Sequence, residues 1–453
     1  MSLTYSSCRT LAALLLPLSS FGQGVLSPPG APAPVMKTLE QVEPRTPIST
    51  PSFSISAPGS YYLASDLTGT SGITISANDV TLDLNGFTLS GTAGNSSPGI
   101  RINSGRRNVE IRNGTIANWG QFGVNGLGTE AIRLLNLTAY NNATFATSHS
   151  GLLVGDRSVV KNCVADANSA GGIVVGKNSI VSECMARSNG SSGITVADSC
   201  RVDKCSSSSN GAEGIRTGSW CIVNDCSTHS NVVSGISAVL GSTISGCNSS
   251  FNGQAGVLTG SDCTIDGCVA YSNSFSGIRA GSSCVVRGCA AADNTVDGID
   301  ASAGSVITEC TARNNGDDGI TTGGSAVSDC MASFNVGDGI SVGSDSRIVD
   351  NTCFGNGTGG DGAGIRFILP GNRIENNHVT DNVWGIKGNV SSTAGTLIVR
   401  NTASGNTGTA SSGGADPHFD FNPTNNPHGV IEDISAVAGG TITSTHVNRN
   451  WYY

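Results

Sequence analysis

Charge is what this sequence has least of. Charged residues make up 13% of the 453 positions and aromatic residues 5%. That density is too low for a coiled coil or a charged disordered tail. Lysine and arginine number 24 against 33 acidic residues, a net charge of −9. A nucleic-acid binder needs the opposite balance, so none is expected as a partner. No apolar run beyond the N-terminus is long enough to span a membrane. The cysteines lack the Cys-x-x-Cys spacing of zinc sites, and no segment looks long enough for a stable helix. Against these absences stand 62 glycines, without the Gly-X-Y order of collagen. So much glycine means either low complexity or a repeat with tight corners.

The N-terminus has the order of an export signal. Arg9 precedes the apolar run Leu11 to Leu18, and Ser19-Ser20-Phe21-Gly22 follows. Residues 1–22 are therefore expected to be a signal peptide and the protein to be secreted, extracellular or periplasmic. Residues 23–51 carry seven prolines and read as an extended linker. Residues 52–98 alternate apolar and polar positions, as in Ile73-Thr-Ile75 and Val80-Thr-Leu82, and are expected to hold an N-terminal cap and first strands.

The glycines are periodic. A Gly followed by Ile, Val or Leu recurs at 151, 172, 193, 214, 235, 256, 277, 298 and 319, every step being 21 residues, and then at 339, 364 and 385. One unit, Gly193 to Gly211, contains the alternation Ile194-Thr-Val196, then Val202, then Cys205 and Ser207. Three short strands with corners at fixed period predict an all-β parallel β-helix over residues 99–400, of about 13 coils stacked roughly 4.8 Å apart. Residues 401–453 lose the period and are expected to be a C-terminal cap or tail, with Trp451, Tyr452 and Tyr453 over the open end.

Equivalent positions of successive coils should form ladders. Asparagine recurs from Asn168 through Asn315 at the same step and continues at Asn335 and Asn356. It suits left-handed corners and stacked amides. Cysteine recurs from Cys163 through Cys310, then at Cys330 and Cys353. A shorter column alternates Cys200, Cys221, Cys263 and Cys284 with Ser158, Ser179, Ser242 and Ser305. The exchange suggests small size, so free buried thiols are expected rather than disulfides.

The Gly-Ile…Cys…Asn unit resembles that of secreted right-handed parallel β-helix proteins of the pectin-lyase fold. Glu40 to Pro47, Gly59 to Leu63 and Val80 to Leu89 are similar to the cap and first coils of bacterial exported members. Enzymes of this fold act in a groove on one face, with acids from neighbouring coils. Asp297, Asp318 and Asp338 occupy the position before the coil-opening Gly in three consecutive coils, and Asp317 adjoins Asp318. Asn294-Thr-Val-Asp297-Gly and Gly316-Asp317-Asp318 are similar to the Asn-Thr-Asp-Gly and Gly-Asp-Asp motifs of polygalacturonases. Their Gly-His-Gly and Arg-Ile-Lys motifs have no counterpart, since this chain reads Val336-Gly-Asp-Gly339 and Arg347-Ile-Val. Asp416-Pro-His418 is similar to a motif of alginate epimerases.

Three readings of the acids remain open: Asp-Gly turns, a calcium site on Asp297, Asp318 and Asp338, and acid–base catalysis on a polysaccharide by Asp297, Asp317, Asp318 and Asp338. Arg279, Asp300, Arg366 and Lys387 hold the next outward position and are candidate substrate contacts. The longer coil at Gly355–Gly364 adjoins them and is expected to wall a groove or to be a surface insertion. The functional expectation is a secreted, single-chain protein that binds or processes polysaccharide or cell-surface glycan; the alternative is a non-catalytic structural or adhesin-like solenoid.

Overall fold

The structure is a computed structural model and describes residues 45–143, 149–388, 395–408, 417–421, 431–433 and 449–452. The signal-peptide expectation falls outside these residues. Among the described residues there are strands and no helix, and hence no helix long and apolar enough to cross a membrane.

One coil shows the construction. Its three strands are Ile194–Val196, Arg201–Asp203 and Ser206–Ser208. Each pairs in parallel with its counterpart one coil on, so that Ile194 faces Ile215, Val202 faces Val223 and Ser207 faces Thr228. The first strands stack into one sheet, while the second and third stack into another that bends at the corner between them. Inward residues are fully buried: Ile194, Val202 and Ser207 are all at 0% exposure. The third position of each coil is small, as at Ala186, Ser207, Ala270 and Ala312, which keeps that side of the interior narrow.

The three corners of this coil are built alike. Ser199, Lys204 and Ser209 take left-handed backbone with φ of 59°, 52° and 55°. Such geometry costs a non-glycine residue about 1 kcal/mol. The residue that follows each then points its amide along the stack. Cys200 N–H donates to the Cys221 sulfur and Cys205 N–H to the Cys226 sulfur, both at 3.4 Å, and Asn210 N–H donates to Asn231 Oδ1 at 3.2 Å. Buried amides must find acceptors, and here the side chain of the next coil supplies one at each corner.

This changes the reading of the ladders. The asparagines are not the left-handed residues; the residue before each one is. Their column runs from Asn142 to Asn406, each amide donating to the next, as from Asn252 to Asn273 at 3.0 Å. Cysteine and serine exchange because sulfur and hydroxyl both accept an amide, as Ser242 does from Cys221 at 3.1 Å. All fourteen described cysteines are buried and unpaired. Cys353 is not in the long column. Asn351 takes that place, accepting from Cys330 N–H at 3.0 Å, and the column continues as Asn377, Asn401 and Asn450. Cys353 lies inside the third strand opposite Ala332, where burial pushes its thiol pKa up.

The stack has about 16 turns rather than 13. The Gly-Ile signature misses coils at both ends. Thr46–Ile48, inside the stretch read as linker, pairs with Tyr61–Leu63. At the other end Asn450–Tyr452 pairs with Thr402–Ala403, so this part of the expected cap continues the coil. Gly193 illustrates why the repeated glycine is needed. An added Cβ would lie 2.0 Å from Ser207 Oγ and 2.6 Å from Asn210 Nδ2. The interior columns pack against the bare backbone.

Candidate functional site

The first sheet carries the candidate residues in register. Its outward row pairs Leu258 with Arg279, Arg279 with Asp300 and Asp300 with Thr321, and then Ser341 with Arg366 and Arg366 with Lys387. A second row, two residues before the first inward isoleucine of each strand, holds Ser276, Asp297, Asp318, Asp338 and Ala363. Stacking brings both rows together on one face, as the 21-residue period predicts.

The acid row is also a hydrogen-bond ladder. Asp297 Oδ1 accepts Asp318 N–H at 3.1 Å, Asp318 Oδ1 accepts Asp338 N–H at 2.6 Å, and Asp338 Oδ1 accepts Ala363 N–H at 2.6 Å. One oxygen of each carboxylate is thus spent on the next coil. The other oxygens differ. Asp318 Oδ2 accepts the Thr321 hydroxyl at 3.2 Å, and Asp338 Oδ2 accepts Arg366 Nε at 2.6 Å. Burial, then the Asp318 charge, pushes the Asp297 carboxyl pKa up to about 7. Burial and Asp338 push that of Asp318 up to about 6. Asp338 is also raised by burial, against the pull of Arg366. A carboxyl poised near neutrality can donate or accept a proton, as acid–base work requires.

Oxygens of Asp297, Asp317 and Asp318 lie within 4.8 Å of one another. The expected calcium set of Asp297, Asp318 and Asp338 is not the one that converges. Asp317 joins instead, because Asp338 is turned to Arg366 and is nearly buried. Gly337 leaves room for the cluster: a Cβ there would sit 2.4 Å from Asp318 Oδ1 and 2.7 Å from Asp317 Oδ1. Hard oxygen donors suit calcium, and these three supply a fraction of the six to eight it takes.

The insertion after Gly355 does wall a groove. Gly359, Asp361 and Gly362 face Asp317, Asp318, Asp338, Ser341 and Arg366 across an open space of about 450 Å³. Asp361 was not singled out by the sequence pattern, since it lies off the repeat. It accepts from Lys387 Nζ at 2.7 Å and from Trp384 Nε1 at 3.2 Å, and its carboxyl is held below the usual range chiefly by Lys387. Lys387 also stacks on the Trp384 ring at 4.3 Å. Arg366 and Lys387 are therefore tied into ion pairs with Asp338 and Asp361 at one end of the groove. Arg279 and Asp300, upstream of the groove, pair with each other at 3.2 Å. Thr321 was legible only once its row was known.

The segment containing His418 is on the coil rather than off it. Phe419–Asp420 pairs with Ile386–Lys387, placing Asp420 beside Lys387 in the outward row. Burial raises the Asp420 carboxyl. His418 Nδ1 meets Asn406 Nδ2 at 3.0 Å, the end of the asparagine ladder. Asp416 lies outside the described residues.

Comparison with solved structures returns β-helix proteins at low identity. The chain is similar to the A-module of mannuronan C-5 epimerase AlgE6 from Azotobacter vinelandii at 13% identity and a TM-score of 0.29, over 82% of this chain and 91% of that one. It is similar to pectate lyase Pel9A at 16% identity and a TM-score of 0.34, over 56% and 71%. It is also similar to PfbA, a surface adhesin of Streptococcus pneumoniae, at 9% identity and a TM-score of 0.26, over 80% and 82%. No curated protein matches. Residues 64–210 and 210–352 match the Beta_helix family, described as the right handed beta helix region, and the chain belongs to that family.

Proposed function

We propose that this is an exported protein that binds polysaccharide along the face bearing Asp297, Asp317, Asp318 and Asp338, and that Asp297 and Asp318 act on it as proton donor and acceptor. The observation that carries this reading is the pair of half-buried carboxylates, poised near pH 7 and 6, at the edge of a groove that the insertion closes on one side. The groove is open along the stack and lined by carboxylates and Arg366, which suits a linear polymer rather than an enclosed compact ligand. Export is supported by the order Arg9, Leu11–Leu18 and Ser-Ser-Phe-Gly. Lining acids outnumber Arg366, so a neutral glycan is favoured, or an acidic one bridged by a cation.

The convergence of Asp297, Asp317 and Asp318 favours calcium as that cation. If it binds, it would hold these carboxylates ionised and attract an acidic sugar, so the proton-donor role of Asp297 belongs to the calcium-free protein. The test is incubation of the protein with neutral and uronate polysaccharides, with calcium and with a chelator, while new chain ends and the C5 configuration of the uronate units are measured. Cleavage or epimerisation of one substrate, lost in Asp297→Asn, is the expected result. No reaction with any of them would remove the acid–base role. Indifference of every readout to calcium would remove the metal.

A further inference from the structure

Upstream on the same face, over the three coils before Asp297, Ser234, Gln254, Leu258, Phe275 and Arg279 line a second pocket of about 240 Å³. The Ser234 hydroxyl is buried, at 0% exposure, and no protein group hydrogen-bonds it. The Ser276 hydroxyl, between this pocket and Asp297 in the same row, is in the same state. Orphaned buried hydroxyls are rare because each gives up its hydrogen bonds to water and gains none in return. Ser192, in the same row, does find a partner, donating to Glu213 at 2.8 Å. Phe275 is exposed, and the Arg279 guanidinium lies 5.4 Å from its ring centroid while also pairing with Asp300. The pocket therefore offers an aromatic surface, one unspent hydroxyl and a fixed cation, with the Ser276 hydroxyl beside it, all in line with the acid groove. An aromatic face beside hydrogen-bonding groups matches a pyranose, which has an apolar C–H face and a rim of hydroxyls. The volume is below the usual drug-sized range of about 300–1,000 Å³ and fits one ring unit.

We propose that this pocket is a second sugar subsite, holding one unit of the same polymer that reaches the acid groove about 14 Å further along the stack. It rests on the polysaccharide reading given above. Phe275 takes the apolar face of the ring, and Ser234 and Ser276 meet hydroxyls of the sugar chain. Polymers long enough to cover both places bind more tightly than short ones, because the second contact is made within one molecule.

The probes are two-unit and six-unit oligosaccharides of cellulose, pectin and alginate, added to the full chain carrying labelled leucine and isoleucine methyl groups. Leu258 reports the pocket and Ile368 the acid groove. The expected result is that a six-unit oligomer shifts both signals, and that Phe275→Ala weakens it about tenfold, removes the Leu258 shift and keeps the Ile368 shift. Ser234→Ala serves as a second variant in case Phe275→Ala is unstable. A six-unit oligomer that moves Ile368 alone, with affinity unchanged in both variants, overturns the subsite and leaves the acid groove standing. Movement of Leu258 alone keeps the pocket and overturns the groove as the main site. No movement of either signal by any probe overturns both.

Discussion

At the scale of the residue, Asp297 carries the most information. Its carboxyl accepts the amide of the next coil, so the position has a structural role, yet its pKa is displaced far above that of a simple turn residue. Asp-Gly turns and a functional acid are thus not exclusive readings of the same side chain. The displacement has a consequence for stability. Folded Asp297 titrates near 7, and an unfolded aspartate titrates at about 3.9. The folded state holds the proton more tightly, so the group's favourable contribution is complete below pH 4 and is lost as the pH rises through 7. Asp297→Asn keeps an oxygen for Asp318 N–H and removes the charge. Thermal melts should show little difference from wild type at pH 4 and a higher midpoint for the variant at pH 8. A variant less stable than wild type at pH 8 would mean that the carboxylate is paired with a cation there.

At the scale of the element, the coil is held by its corners as much as by its strands. Most strands of the repeat have three residues, and the corners place a left-handed residue before one whose amide, as at Cys200, Cys205 and Asn210, is satisfied by the next coil. The Cys226 sulfur accepts Cys205 N–H at 3.4 Å, and Ser242 does the same for Cys221 in the neighbouring column. Cys226→Ser should therefore be tolerated, whereas Cys226→Val should cost about 2 kcal/mol by stranding the Cys205 amide. Urea titration of the two variants checks this; equal stability would show that size alone governs the column. This logic was only partly legible in the sequence. The period, the strand positions and the alignment of Arg279, Asp300, Arg366 and Lys387 follow directly from spacing. The acceptor role of the columns does not, because Cys, Ser and Asn share no obvious property until the amide they meet is known. For the same reason Cys353 was grouped by residue type with a column that in fact continues through Asn351.

At the scale of the whole molecule, stacking turns a local repeat into a surface. Residues 21 apart become neighbours, so a departure from the repeat at a few positions makes a patch. The three aspartates are such a departure, and the Gly355–Gly364 insertion makes a wall beside them. The patch was legible because it breaks a column. Its chemistry was less so, since the choice of Asp317 over Asp338 for the convergent cluster depends on Arg366, which no spacing rule connects to Asp338. The extra coils at both ends were missed because they lack the glycine that marks the others. The family fixes the fold, and the groove between Asp297 and Lys387 is where the surface is unlike the rest of the stack.

The direct measurement is affinity electrophoresis of the protein through gels containing single polysaccharides, comparing wild type with Asp297→Ala/Asp318→Ala. Retardation of the wild type by at least one polysaccharide, lost in the double variant while its far-ultraviolet circular dichroism is unchanged, is the result expected of a binding groove. Retardation that survives both substitutions, or none with any polysaccharide, would contradict it and leave the ladders as the whole design.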